Sequence, residues 1–238
     1  MKRELIKSAD GSNTLRLAEY DESYHSVNGA LTESNYIFIG CGLKYYTENV
    51  SIKEITILEI GFGTGLNCLL SAIFAFKNRE IRINYSGIEK YPVTDEEFHS
   101  LNHIESILAQ ADLFFSAEEV NEIRKINEMI QLTDWDKCVD ILPNFTLIKI
   151  NSDILLYKGD GQINDIVYFD AFSPGSQPEL WTREVFGEIY SSVKTGGILV
   201  TYSSKGIVKQ ALRESGFDVS RLNGPPGKRH IVRATRRF

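Results

Sequence analysis

Short runs of apolar residues recur along the chain, and the segments between them carry apolar residues three or four positions apart. The short runs are typical of buried parallel strands. They occupy residues 55–58, 81–89, 145–153, 166–169 and 198–202. The spaced segments predict amphipathic helices that pack on a sheet. The alternation of the two predicts an α/β protein built on a mostly parallel sheet.

The first fifty residues depart from this alternation. Short strands are predicted at 14–17 and at 36–39, where Gly40 ends the second run. Between them, residues 24–33 are polar and rich in small side chains. They form either a loop that flanks a cofactor or an ordinary connection. We therefore expect residues 1–50 to form an N-terminal β extension.

A long interval follows the second strand of the main pattern. Residues 92–142 exceed the length of one crossover helix. Capping-box patterns begin at Thr94 and at Ser116, and each predicts the start of a helix. We expect a helical insertion here, and two closing strands at 217–222 and 231–234. At 238 residues, the chain suits a single domain that contains this insertion.

A glycine-rich turn follows the first strand and precedes an apolar helix. Gly61, Gly63 and Gly65 are spaced G-x-G-x-G, with Glu59 two positions before the first glycine. Glycines let the backbone turn sharply and approach a ligand closely, and the helix N–H groups then face that ligand. A dinucleotide fingerprint is spaced G-x-G-x-x-G instead. Taken alone, the turn is equally well explained as a tight corner between a strand and a helix.

Acidic residues stand at the ends of three predicted strands. Glu89 ends the second strand, where such folds bind ribose hydroxyls. Asp153 ends the third strand and is placed to accept a bond from an adenine amino group. Asp160 competes for that role, although its Gly-Asp-Gly setting favours a turn. Asp170 follows the fourth strand and is expected beside the glycine turn, at the point where the strand order reverses. Together these acids indicate a cofactor that carries a nucleoside.

Composition excludes several classes of protein. The chain is 42% hydrophobic and 24% charged, which is ordinary for a globular protein, and no apolar run has membrane length. Three scattered cysteines indicate a reducing, cytoplasmic setting rather than a disulfide framework. The four histidines form no metal motif, so no metal is expected. His99 and His103 are spaced as one solvated face of a helix.

Charge is distributed unevenly. The net charge is −6, yet nine basic residues and two acids follow residue 204, so this tail carries +7 and the remainder −13. Such asymmetry indicates one surface that faces an anion, although a solvated basic end explains it too. Lys228 and Arg229 end a loop of glycines and prolines between the closing strands. If that loop lies at the rim of the cleft, both cations are placed to meet nucleic-acid phosphates.

The acid followed by G-x-G-x-G resembles the first motif of class I S-adenosylmethionine-dependent methyltransferases. The resemblance implies a Rossmann-like sheet and S-adenosyl-L-methionine as cofactor. In that family the glycine turn lies under the methionine part, and the acid before it helps to hold the ammonium indirectly. The implied cofactor-binding residues are Glu59, Gly61, Phe62, Gly63, Gly65, Asn67, Glu89, Asp153 and Asp170.

More of the chain, about residues 15–235, is similar to the tRNA 5-methylaminomethyl-2-thiouridine methyltransferases, the methyltransferase half of the bifunctional enzyme MnmC. The motifs that carry this likeness are Gly61 to Asn67, Asp170-Ala171-Phe172-Ser173-Pro174, Pro178 to Thr182 and Gly227-Lys228-Arg229. The likeness implies methylation of a 5-aminomethyl(-2-thio)uridine at the tRNA wobble position. The chain ends where the family's oxidase domain would begin. We therefore expect a stand-alone methylase whose aminomethyl substrate is supplied by other wobble-uridine modification enzymes.

Roles for the remaining residues follow from that reaction. Asp170 is expected to orient the amine and to stabilise the developing ammonium. Phe172 and Trp181 are candidate stacking surfaces for the base, each with an equally good explanation as a core residue, and Pro174 shares their segment. An aminopropyltransferase of the spermidine synthase type is an alternative, but the +7 tail argues against it. A catalytically inert nucleic-acid-binding module is a second alternative, and the retained acids argue against that.

Overall fold

A computed structural model describes residues 2–18, 22–110, 115–159 and 161–237 of the protein. Its strands are β1 (Arg3–Lys7), β2 (Asn13–Leu17), β3 (Glu22–Ser23), β4 (Glu54–Ile60), β5 (Arg82–Glu89), β6 (Cys138–Leu142), β7 (Phe145–Asn151), β8 (Asn164–Phe169), β9 (Val193–Thr201), β10 (Asp218–Asn223) and β11 (His230–Thr235). Its α-helices are α1 (Ala30–Ser34), α2 (Tyr45–Asn49), α3 (Leu66–Lys77), α4 (Asp95–Ser100), α5 (His103–Leu108), α6 (Ala117–Leu132), α7 (Arg183–Ser192) and α8 (Gly206–Glu214).

Eight of these strands form one sheet in the order β10-β11-β9-β8-β4-β5-β7-β6. The five central strands, from β9 to β7, are mutually parallel. The edge strands β6, β10 and β11 run antiparallel to their neighbours. The predicted α/β class with a mostly parallel sheet is confirmed.

The sheet is buried on both faces. In β4, Ile55 and Ile57 point into the core beneath α3 and α6, while Leu58 and Ile60 point into the core beneath α7 and α8. The chain leaves β4 towards β5 and β7 on one side and returns to β8 and β9 on the other. The strand order therefore reverses between β4 and β8. In open α/β sheets a ligand cleft lies at this point, beyond the carboxyl ends of the strands.

The N-terminal region contains a small antiparallel sheet, β1-β2-β3, and then a helical stretch. The strand predicted at 36–39 is wrong. These residues lie in a π-helical segment, Asn35–Lys44, between α1 and α2. Ile37, Phe38 and Ile39 are all buried. A short apolar run buried all round looks the same in sequence whether it is a strand or a helix.

The insertion after β5 agrees with prediction in part. Both capping boxes, at Thr94 and Ser116, are formed, and Ile123 and Ile126 of α6 point inward. The helix opened by Thr94 ends at Ser100, however, and a second short helix, α5, follows. Residues 138–142, predicted as part of the helical insertion, instead form β6. It pairs with β7 as a hairpin and covers the edge of the sheet. Residues 111–114 lie outside the described part of the chain.

Candidate functional site

An open cleft of about 800 Å³ lies beyond the carboxyl ends of β4, β5 and β8. The elements around it are the glycine turn, the ends of β5 and β7, the segment after β8 and part of the N-terminal region. The predicted site residues that line it are Gly61, Phe62, Gly63, Asn67, Glu89, Asp153, Asp170 and Phe172. Residues scattered over 112 positions of sequence thus meet at one edge of the sheet, as the topology requires.

The glycine turn packs directly on the segment that follows β8. Gly61 has a φ of 86°, and a Cβ there would lie 2.6 Å from the carbonyl oxygen of Asp170. Gly65 has a φ of 78° and is the N-cap of α3. It does not line the cleft. The ring of Phe62 occupies the space above Gly87, where a Cβ would lie 2.2 Å from it. Close approach and positive φ together explain the glycines at these positions.

Gly61→Ala is expected to destabilise the fold beyond the conformational cost of a positive φ. Gly196→Ala is the matched control, because Gly196 has a φ of 81° and no atom within 4 Å of an added Cβ. The clash at Gly61 should cost about 1–3 kcal/mol more in free energy of unfolding than the change at Gly196. Urea unfolding of both variants measures the difference. Equal losses would show that Asp170 does not crowd the turn.

Glu89 is fixed at the tip of β5 by two backbone donors. Its Oε2 accepts the N–H of Gly63 at 3.0 Å, and its Oε1 accepts the N–H of Tyr91 at 2.8 Å. The carboxylate therefore ties the glycine turn to the second strand. Each carboxylate oxygen keeps a further lone pair. The group is thus suited to accept two hydroxyls from the cleft.

Asn67 links two carboxyl groups at the base of the cleft. Its Nδ2 donates at 2.9 Å to Glu59 Oε1 and at 2.9 Å to Asp170 Oδ2. Glu59 is fully buried behind the cleft and also accepts the hydroxyl of Tyr85 at 2.7 Å. Among the described residues, no group donates to the buried Oδ1 of Asn67. A buried acceptor without a donor is costly, so this oxygen is suited to a donor on a bound ligand.

Burial raises the pKa of both carboxyl groups well above the usual range. For Glu59, bonds from Tyr85 and Asn67 oppose the effect of burial. For Asp170, the nearby charge of Glu33 adds to it, and the bond from Asn67 and the charge of Lys228 oppose it. A cation bound at this end of the cleft would favour the charged carboxylates and lower both pKa values.

Asp153 lies at the far wall of the cleft, after β7. Its Oδ1 accepts the N–H of Leu155 at 3.0 Å, and its Oδ2 pairs with Lys90 at 2.7 Å. Burial raises the pKa of Asp153, but the bonds from Lys90 and Leu155 outweigh it, so the pKa is lowered. Asp160, the alternative to Asp153, lies outside the described residues.

The segment after β8 supplies one aromatic ring to the cleft. Phe172 is half-buried, and its ring meets that of Tyr24 edge-on with centroids 5.0 Å apart. Trp181 is a core residue with 3% of its surface exposed, and its Nε1 donates to the carbonyl of Phe172 at 2.8 Å. Pro174 is buried in the turn that follows. Of the three predicted substrate contacts in this segment, Phe172 is therefore the ring that faces the cleft.

Two residues that the sequence did not single out roof the cleft. The ring of Tyr24 lies above Gly63, and its hydroxyl accepts from Arg3 Nε at 2.7 Å. His25 lies beside it and contacts Thr14 through Nδ1 at 3.0 Å. Burial lowers the pKa of His25 to about 3, so the ring is neutral. The sequence pointed to these two residues only through the polar segment 24–33, for which a loop that flanks a cofactor was one of two explanations.

His103, predicted on a solvated helix face, is buried with 3% exposure. Its Nε2 lies 3.1 Å from the hydroxyl of Thr64, which follows the second glycine of the turn. Burial lowers the pKa of His103 to about 4. The prediction failed because α5 packs its first residue under the glycine turn, a tertiary contact that spacing alone does not show.

The basic tail divides between the two edges of the sheet. β11 runs antiparallel to β9, so Arg229 lies at the cleft edge and Arg236 and Arg237 lie at the opposite edge. α8 begins at the end of β9, which brings Lys205 to the cleft edge and carries Arg213 away from it. Lys205 and Arg229 are both exposed. The cation predicted at Lys228 points inward and pairs with Glu33 at 2.6 Å instead of facing outward from the rim.

Two further observations bear on ligands and setting. In the part of the chain that the structure describes, no three His, Cys, Asp or Glu side chains are grouped as metal ligands. No helix among the described residues is long and apolar enough to cross a membrane.

Comparison with known proteins agrees with this geometry. A family model described as S-adenosyl-L-methionine-dependent methyltransferase matches residues 120–237, from α6 to the end of β11. The chain belongs to the S-adenosyl-L-methionine-dependent methyltransferases, and its cofactor is S-adenosyl-L-methionine. The cleft fits that group, since it offers a carboxylate at the tip of β5 and an unpaired buried acceptor, Asn67 Oδ1, beside the glycine turn.

Within that family the chain resembles the methyltransferase part of MnmC. It is 30% identical over 233 residues to the tRNA 5-methylaminomethyl-2-thiouridine biosynthesis bifunctional protein MnmC of Burkholderia vietnamiensis, covering 90% of this chain and 32% of that protein. MnmC of Campylobacter fetus is 27% identical over 224 residues, covering 92% and 34%. The crystal structure of MNMC2 from Aquifex aeolicus matches with a TM-score of 0.72 at 27% identity, covering 98% of this chain and 70% of that one. The chain spans about a third of the length of these curated relatives.

Proposed function

We propose that the protein methylates the amine of 5-aminomethyl(-2-thio)uridine at the tRNA wobble position, giving 5-methylaminomethyl(-2-thio)uridine. The observation that carries the proposal is the position of Asp170. This partly buried carboxyl lies in the cleft, beside the glycine turn and two residues before the exposed side of Phe172. A carboxyl next to an aromatic ring suits an amine that hangs from a flat base. The named activity of the MnmC relatives supports the same substrate.

We propose different residues for each part of the cofactor. Glu89 accepts the ribose hydroxyls, and Asp153 accepts the adenine amino group. The glycine turn and Asn67 Oδ1 face the methionine part, with Glu59 acting on it through Asn67. S-adenosyl-L-methionine supplies an electrophilic methyl group on a sulfonium, which is already a good leaving group. The protein therefore contributes mainly alignment and exclusion of water.

The role proposed for Asp170 concerns the amine. An alkyl amine must be neutral to attack, although in water near neutral pH most of it is protonated. Burial disfavours the charged form, whereas a nearby carboxylate favours it. Asp170 orients the neutral amine and stabilises the ammonium that develops as the new bond forms. Asn67 fixes the carboxyl for this task through its bond to Oδ2.

The target base is easier to reach in the anticodon loop than it would be in a duplex. Wobble uridine lies in a single-stranded loop, so extruding it costs less than from a duplex. Phe172 offers an aromatic surface on which the extruded base stacks. The aminomethyl group must already be present, which makes the enzymes that install it the upstream partners of this protein in the cytoplasm.

Identification of the methylated nucleoside tests the proposal. The protein is incubated with labelled S-adenosyl-L-methionine and bulk tRNA that lacks this modification, and the RNA is digested to nucleosides. The label should appear in 5-methylaminomethyl(-2-thio)uridine. Label in any other nucleoside, with none in this one, would overturn the proposal.

The path of the RNA gives a further prediction. Lys205 and Arg229 are exposed at the cleft edge, and each phosphate contact that they make releases counterions. The double variant Lys205→Ala/Arg229→Ala should raise the Kd for tRNA and reduce the slope of log Kd against log salt by about 1–2. Cofactor affinity should not change.

Arg213→Ala is the matched control for this experiment. Arg213 is exposed on the helix that Lys205 caps, but about 12 Å along it and away from the cleft. It should keep the wild-type salt slope. If the double variant also keeps that slope, or if Arg213→Ala loses as much, the RNA does not follow the cleft edge.

A further inference from the structure

Lys228 is a cation enclosed near the substrate end of the cleft. Its Nζ lies 2.6 Å from Oε2 of Glu33 and 4.2 Å from the centre of the Tyr202 ring. Only 25% of its side chain is exposed, against 11% for Glu33. Desolvated contacts with a carboxylate and an aromatic face hold an ammonium much more firmly than an exposed ion pair does.

The loop that carries Lys228 is docked on the start of α1. Gly227 has a φ of 87°, and a Cβ there would lie 2.5 Å from the side-chain nitrogen Nδ2 of Asn28. The loop is closed by bonds from the N–H of Lys228 to Pro225 and from the N–H of Gly224 to Arg229. Backbone and side chain of Lys228 are therefore both fixed.

The enclosed ion pair is connected to the proposed reaction centre. Tyr202, under the Lys228 ammonium, donates its hydroxyl to the carbonyl of Ala171 at 2.8 Å, and Ala171 directly follows Asp170. The charges of Glu33 and Lys228 both act on the carboxyl of Asp170, in opposite directions. An amine beside Asp170 would therefore feel the same two charges.

We propose that Lys228 and Glu33 act as positioning residues that set the protonation state of the substrate amine. This inference rests on the proposed methylation of an aminomethyl group. Lys228 disfavours the ammonium form, so that the amine is neutral when it is aligned, and Glu33 holds Lys228 in place and limits that effect. The pair makes amine methylation proceed nearer to neutral pH than Asp170 alone would allow.

The charge of the surrounding groups explains why a cation is needed. Besides Asp170 and Glu33, this end of the cleft is near Glu22, whose Oε1 accepts the N–H of Ser173 at 2.6 Å. Three carboxyl groups without a cation would hold an ammonium ion and raise its pKa. Lys228 opposes them.

Two titratable rings near Lys228, those of His25 and Tyr202, stay neutral over the working range. Burial lowers the pKa of His25 to about 3. The charges of His103 and Lys228 lower this pKa as well. Burial raises the pKa of Tyr202 well above its usual range, and the charges of Asp170, Glu22 and Glu33 raise it further. Neither ring therefore changes charge while the amine loses its proton.

The substrate ammonium gives up one proton to water before attack. Its nitrogen lone pair then forms the new N–C bond with the methyl carbon, and the electron pair of the broken S–C bond stays on sulfur. The positive charge moves from sulfur to nitrogen, where Asp170 meets it. Lys228 acts on the first of these events, the loss of the proton.

The test is the pH dependence of single-turnover methylation at saturating anticodon stem–loop that carries 5-aminomethyluridine. In Lys228→Met the acidic limb of the pH–rate profile should move to higher pH by about one unit, because Lys228 no longer disfavours the ammonium form of the substrate. In Glu33→Gln it should move down, because Lys228 acts without its counter-charge. Lys228→Arg keeps the charge and should stay near the wild-type limb. The Kd for S-adenosyl-L-methionine should stay within about threefold in all three variants, because neither residue touches the cofactor.

Opposite shifts in the two variants cannot come from a loss of packing. Shifts in the same direction, or lower rates with an unmoved limb, would overturn the inference. If Lys228→Met fails to fold, Glu33→Gln decides alone, and an unmoved limb there would overturn it. A wild-type protein that methylates no amine at any pH would instead refute the proposed function, so the two failures are distinguishable.

Discussion

Asp170→Ala should lower the rate constant of methyl transfer by about 100-fold and leave the Kd for S-adenosyl-L-methionine within about threefold. The carboxyl is proposed to contact the substrate amine, and a hydrogen bond to a charged group contributes about 1.5–3 kcal/mol. Its loss falls mainly on the transition state, where the ammonium develops, so kcat drops more than binding does. Single-turnover rates and calorimetric titration measure the two quantities separately.

Asp170→Asn is the matched control for shape. Asparagine keeps an oxygen that can accept from Asn67 Nδ2, so the base of the cleft should remain in place. It lacks the negative charge, and most of the rate loss should persist. Equal losses of cofactor affinity and rate in both variants would make Asp170 a cofactor residue and remove it from the amine.

Glu89→Ala should weaken binding of S-adenosyl-L-methionine by about 1–3 kcal/mol, which is roughly 5- to 150-fold in Kd. Two effects add. The proposed acceptor of the ribose hydroxyls is lost, and the N–H of Gly63 loses the bond that ties the glycine turn to β5. Isothermal titration of the folded variant gives the affinity directly.

Glu54→Ala provides the comparison for this variant. Glu54 begins β4, at the end of the strand away from the cleft, and its Oε1 accepts from Asn84 at 2.8 Å. It should bind the cofactor as the wild type does. A Glu89→Ala protein with the same Kd as Glu54→Ala would place the cofactor away from the tip of β5.

The sequence predicted those parts of the cleft that follow from local pattern and sheet topology. Strand β4 is apolar on both faces, and the glycines after it allow positive φ, so the turn could be located without coordinates. Glu89 and Asp170 could be placed because the carboxyl ends of parallel strands meet at one edge. Their ligand contacts remain predictions.

The errors arose where tertiary packing decides between two equally good local interpretations. Three consecutive apolar residues of the run at 36–39, Ile37 to Ile39, are buried, which suits a strand and a helix alike. Trp181 was an equally good candidate for stacking and for the core, and the structure places it in the core as the support for Phe172. The inward direction of Lys228 depends on how its loop docks on Asn28, which is nearly 200 positions away in sequence.

The central claim is that this cleft methylates the aminomethyl group of a wobble uridine. Two anticodon stem–loops that differ only in whether U34 carries that group test it most directly. With labelled S-adenosyl-L-methionine and equal RNA concentrations, the account predicts label on the amine nitrogen of the first RNA, almost none on the second, and a loss of that label in Asp170→Asn. Equal labelling of both RNAs, or label on a base or ribose atom instead of the amine, would contradict it.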